Sequence, residues 1–161
     1  MTTLIRTTAT AVLFGLLATA LPAQDNMEDH VSEAGGLRVL HAWTVAGDDA
    51  PRIYMEIQNE SDTDTSLYGA RLSSGATAAI QGAPMQAESD SVPLDVMPIP
   101  AGQTLDLSPD TQYLQVDAAV ERSEGDTLDM ELAMSAPEEM NIHVEVLGPD
   151  ATAHPHAGHQ H

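Results

Sequence analysis

From Leu37 onward the chain alternates apolar and polar side chains in short runs separated by turn residues. A period of two belongs to strands buried on one face. Leu37–Val45 is the first such run, with Leu37, Val39, His41, Trp43 and Val45 expected on one side and Arg38, Leu40, Ala42 and Thr44 on the other. A loop over 46–51 leads to a second strand over 53–59 and a polar turn at 60–64. Residues 67–72 and 76–81 read as short strands around Ser73-Ser74-Gly75. Residues 82–93 read as a long loop containing Met85, and 98–102 as a turn, because proline cannot donate to a ladder and glycine accepts positive φ. Thr104–Leu107, Gln112–Val116 and Thr127–Met134 are further strands. In the last run Asn141, His143 and Glu145 alternate with Ile142, Val144 and Val146 until Gly148-Pro149-Asp150 stops it. About eight or nine short strands and no helix-period segment predict an all-β sandwich or barrel.

The two ends do not fit this pattern. Arg6 precedes an apolar run reaching about Leu21, with small residues offering cleavage after Ala20 or, preferably, Ala23, so residues 1–23 read as a secretory signal peptide. That run is too short for a comfortable membrane span and no second one follows. Residues 24–36 read as a flexible polar arm carrying Met27 and His30, 37–148 as the sandwich domain, and 149–161 as a tail. The expected location is periplasmic or secreted.

Without residues 1–23 the chain has 4 Arg, no Lys and 25 Asp plus Glu, a formal charge of −21. Such a field repels phosphate backbones and argues against nucleic acid as a partner. Cysteine is absent, so the core must stabilise an exported domain without disulfides, and every thiolate metal site is excluded. Any soft ligand must be Met and any nitrogen ligand His.

The tail supplies the densest candidate chemistry. His154, His156, His159 and His161 are four of the seven histidines. Residues 151–161 carry no large apolar side chain with which to enter a core. Four imidazoles on a flexible chain suit Cu(II) or Zn(II). Met130 and Met134 share a face with Leu128 and Leu132 and read as core packing. Met140 and His143 are set apart from them as candidate metal ligands, with His143 expected exposed and able to cooperate with the tail. A cluster of His41 with Met85 or Met97 is a third arrangement, although His41 beside Trp43 reads more simply as a buried imidazole.

The segments HAWTVAG, YMEIQNESDTDTSLYGARLSSGA and MPIPAGQTLDLSPDTQYLQV resemble, in order and spacing, the periplasmic copper chaperone PCu(A)C family over residues 37–147. The turn Ile99-Pro100-Ala101-Gly102 and its following strand carry the resemblance most specifically. It implies a cupredoxin-like, Ig-like Greek-key sandwich. It also implies delivery of copper for cytochrome oxidase assembly, with a respiratory oxidase subunit or another copper chaperone as partner. The family's site uses two His and two Met. Matching the strands places Gln81 and Tyr113 where the two His should be and Gln115 where the last Met should be, and these are poor Cu(I) ligands. Copper is therefore expected mainly on the tail, as Cu(II), with Cu(I) on methionine the natural complement. No Cys nucleophile, G-x-S-x-G elbow or phosphate loop is present, so catalysis is not expected.

Overall fold

The computed structural model describes residues 31–82 and 91–155. Its eleven strands are β1 (Val31–Ala34), β2 (Leu37–Val45), β3 (Arg52–Asn59), β4 (Thr65–Leu72), β5 (Thr77–Gly82), β6 (Val92–Leu94), β7 (Met97–Ile99), β8 (Thr104–Leu107), β9 (Gln112–Val116), β10 (Thr127–Met134) and β11 (Glu139–Leu147). The described residues contain no helix, so none long and apolar enough to cross a membrane.

Seven strands form a ring in the order β2-β11-β10-β4-β5-β9-β3, and β3 pairs back onto β2. All ladders are antiparallel except β11 on β2. The result is a closed, flattened sandwich, as the alternating pattern predicts. β2 changes neighbours along its length: Leu37–Leu40 pair with β1, and Val45, Thr44 and Trp43 pair with β11. Residues 31–34, expected in a flexible arm, thus form an edge strand.

The core is built from one face of each strand. Leu37, Val39, Ile53, Ile57, Leu67, Ile80, Ile99, Leu107, Leu114, Leu132, Ile142 and Val144 are all buried in it. Met130 and Met134 join it as expected, their unbranched side chains filling gaps between branched ones. Met140 also lies in this core, only 2% exposed and opposite Leu132. It is therefore a packing residue, and its proposed role as a metal ligand does not survive. The inward phase of β11 includes Met140 together with Ile142 and Val144, a continuation of the alternation that its position at the strand's start obscures.

The outward face of β2 departs from simple alternation. β2 and β3 are in register from Leu37–Asn59 to Leu40–Glu56, then resume at Trp43–Tyr54, so β2 holds one extra residue opposite Met55. His41, with φ 51°, sits in this bulge. A one-residue bulge exchanges the two faces of everything after it. Ala42 joins Leu37 and Val39 in the core, whereas Trp43 packs outside in a second cluster with Tyr54, Tyr113 and Leu147. The expectation that Trp43 and Val45 share a side with Leu37 and Val39 is thereby reversed.

The end of β2 is pinned by Arg122, whose side chain is 1% exposed. It donates to the carbonyls of Val45, Asp49 and Val120 and to Asp49 Oδ1. Where β4 approaches β5, Gly69 has φ 146° and a Cβ there would lie 2.7 Å from the Ala78 carbonyl oxygen, so no side chain fits.

Candidate metal centre

The outer face of β2, β3, β5, β9 and β11 carries two adjoining sites. The first is where the family resemblance places ligands. Gln81 faces Tyr113 in register and Gln115 faces Ala79, so Gln81, Tyr113 and Gln115 project from the same face of β5 and β9. Aromatic packing fills this end. Tyr54 contacts Trp43 with centroids 4.6 Å apart, and Tyr113 meets Tyr54 edge-on at 6.3 Å. The Arg52 guanidinium lies 5.0 Å over the Tyr113 ring and its Nε donates to Gln115 Oε1. Gln115 Nε2 is turned to the carbonyls of Ala50, Pro51 and Val116. Burial pushes the Tyr54 phenol pKa up, with Arg52 opposing, so the hydroxyl stays neutral. A fixed cation among phenol and amide side chains does not suit a copper ion.

The second site lies at the other end of the same stripe. After β11 the chain reverses at 148–151, where Ala151 N–H donates to the Gly148 carbonyl. It then runs back over the sheet. Ala151 packs against the Trp43 cluster, and His154 is buried, with its side chain 1% exposed. The start of the tail therefore does dock, contrary to the expectation that it has nothing with which to pack: a small residue and an imidazole suffice, because the surface they cover is aromatic. His154 Nε2 is 2.9 Å from Glu145 Oε2, and the His154 ring lies 4.9 Å, centroid to centroid, from His41 at an interplanar angle of 34°.

Each partner is positioned by local sequence. Glu145 is on the outward phase of β11, directly beside Trp43 of β2. His41 is presented by the bulge, in a left-handed conformation that His, Asn and Asp adopt more readily than other side chains. Such a backbone costs on the order of 1–3 kcal/mol and persists only where the surroundings hold it. A cavity of about 130 Å³ opens beside the pair, lined by His41, Trp43, Met55, Asp106, Thr152 and His154 among others.

His143 is placed differently. It is exposed, as expected, and its Nδ1 lies 2.8 Å from Asp129 Oδ1 on the neighbouring strand. His156, His159, His161, Met85, Met27 and His30 lie outside the described residues. Met97 belongs to β7 and packs partly on the main core. Among the described residues, no three His, Asp or Glu side chains are gathered closely enough to enclose a metal ion. The donors that do meet, imidazole and carboxylate, suit Cu(II). The sequence pattern marks Glu145 only as a polar position on the last strand, and His41 either as a buried imidazole or as a partner of Met85 or Met97, never as a neighbour of His154. The signal for both was available in the reversing turn Gly148-Pro149-Asp150, which sends His154 back along β11 and β2.

The LpqE-like family matches the chain over residues 37–146. No curated protein matches it. Among solved structures, the apo PCuAC domain of PmoF2 superposes with a TM-score of 0.63 at 21% identity, covering 77% of this chain and 99% of that domain. The copper-bound PCuAC domain from PmoF2 gives 0.62 at 20% identity, covering 74% and 99%. The apo PCuAC domain from PmoF1 gives 0.61 at 26% identity, covering 74% and 100%.

Proposed function

The chain belongs to the LpqE-like family and is a PCu(A)C-type protein, and from that premise we propose that it is an exported, periplasmic or secreted copper-binding protein that carries the ion to an acceptor. The acceptor in this reading is a respiratory oxidase subunit under assembly or another copper chaperone. Copper is the cargo, and the C-terminal histidines, beginning with His154, are its principal ligands. The observation that carries the reading is the burial of His154 against His41 and Glu145, which ties the histidine tail to the body of the domain. Imidazole binds Cu(II) well and exchanges it without redox chemistry. The acidic surface raises the local concentration of cations around the tail. Deleting residues 151–161 and titrating with Cu(II) tests it: the first equivalent is expected to be lost, and unchanged stoichiometry and affinity would refute it.

A second reading is favoured by one observation. Arg52 over Tyr113 occupies the end of the sheet where the family's ligands are expected, which supports a non-catalytic adaptor or general metal buffer that has given up copper transfer. Copper bound no more tightly than Zn(II), with no transfer to an acceptor, would decide for it.

A further inference from the structure

We infer that His41 and His154, one in the sheet and one in the tail, are two imidazole ligands of a single copper site, with Glu145 orienting His154. This rests on the copper-binding reading above and deepens it: the tail alone does not make the tight site, because the bulge in β2 supplies half of it.

Geometry supports this in two ways. A metal about 2.0 Å from one nitrogen of each of two imidazoles holds the ring centroids about 4.5–5.5 Å apart at ligand angles of 90–120°. The observed separation of 4.9 Å falls within that range. A carboxylate on one ring nitrogen is the usual companion of a metal-bound histidine, since it fixes the tautomer and makes the other nitrogen the stronger donor. Glu145 Oε2 stands in this relation to His154 Nε2, so a metal would be taken up through Nδ1.

The fold adds a reason for the strained backbone at His41. A left-handed residue in the middle of a strand is retained where surroundings over-determine it, and ligand sites are a frequent setting. Here the bulge sets the imidazole on the outer face, at the mouth of the adjoining cavity. The cavity gives water or an acceptor's side chain a route to an ion held by the pair, and such a route is what a carrier needs in order to release it.

The test uses the full chain and Cu(II) as the probe. Trp43, the single tryptophan, lines the same cavity, so a Cu(II) ion held there quenches its fluorescence. The first equivalent is expected to quench the wild type and a variant with His156, His159 and His161 all changed to Ala. His41→Asn keeps a side chain that tolerates the left-handed backbone but removes the imidazole, and it is expected to weaken that equivalent at least tenfold with the quench abolished. His154→Ala, which leaves every strand in place, should do the same and keeps the test decisive if His41→Asn folds poorly. Wild-type affinity and quench in either single variant would overturn the shared site while leaving copper binding by the tail intact. Failure of the wild type itself to take up Cu(II) would overturn both.

Discussion

The two ends of the outer aromatic stripe are built on the same strands and arrive at opposite chemistry. At one end Tyr113, Tyr54 and Trp43 pack in a row under the Arg52 guanidinium, and Gln115 spends its amide on backbone carbonyls. At the other, the His41 and His154 rings lie 4.9 Å apart, tilted by 34°, beside the Glu145 carboxylate. The first end is cationic and closed by packing; the second is imidazole-rich, borders an acidic residue and opens into a cavity. The scaffold therefore does not decide where copper can sit. A bulge of one residue in β2 and a turn of three residues after β11 are enough to assemble donors a short way along the face from where the family resemblance locates them.

The contrast predicts that stability and metal affinity come apart. Tyr113 is 3% exposed and anchors the aromatic end. Tyr113→Ala should cost about 3–5 kcal/mol, the range for emptying a large aromatic site, while leaving the affinity of the first Cu(II) equivalent unchanged. Urea unfolding and metal titration on the same variant check both halves. Glu145→Gln acts in the reverse sense. A neutral amide still accepts from the His154 ring but no longer strengthens it as a ligand, so Cu(II) affinity should fall about tenfold, with a loss of stability within about 1 kcal/mol. Equal effects of the two substitutions on both measurements would erase the distinction between the ends.

Much of the fold was legible because strands announce themselves by period. The ranges Leu37–Val45, Thr104–Leu107, Gln112–Val116 and Thr127–Met134 were read with the bounds they have. What failed was local or tertiary. β1, β6 and β7 have three or four residues, too few to show alternation, and exist because longer neighbours offer an edge. The bulge at His41 leaves no mark in a hydrophobicity pattern, since Ala42, Trp43 and Thr44 are compatible with either phase, yet it exchanges the faces of Trp43 and Val45. Met140 misled for a related reason: at the first turn of a strand its phase is set only by residues that follow. The candidate site was half legible. Composition pointed to the tail, but the pairing of His154 with Glu145 and His41 depends on a chain reversal that composition does not encode.

The smallest effect concerns what holds β2 in place for both ends. Arg122 grips the Val45 carbonyl from beneath the strand and reaches Asp49 Oδ1 at 2.9 Å. The hydrogen bond from Arg122 holds the Asp49 carboxyl below its ordinary value, against a smaller opposing effect of burial. A carboxylate depressed in the folded state stabilises above its unfolded pKa, near 4, and that contribution disappears as pH falls through the lower folded value. Asp49 is largely exposed, so solvent screens the pair and only a few tenths of a kcal/mol are expected from it. Asp49→Asn should therefore lower stability slightly at pH 7 and not at all at pH 2, as read from urea midpoints of both proteins. The backbone carbonyls held by Arg122 keep it in place without the carboxylate, so Trp43 and His41 should remain where they are and the Cu(II) quench of Trp43 should be unaltered. A change in that quench would mean that the loop after β2, and not the bulge within it, sets the imidazole end of the stripe.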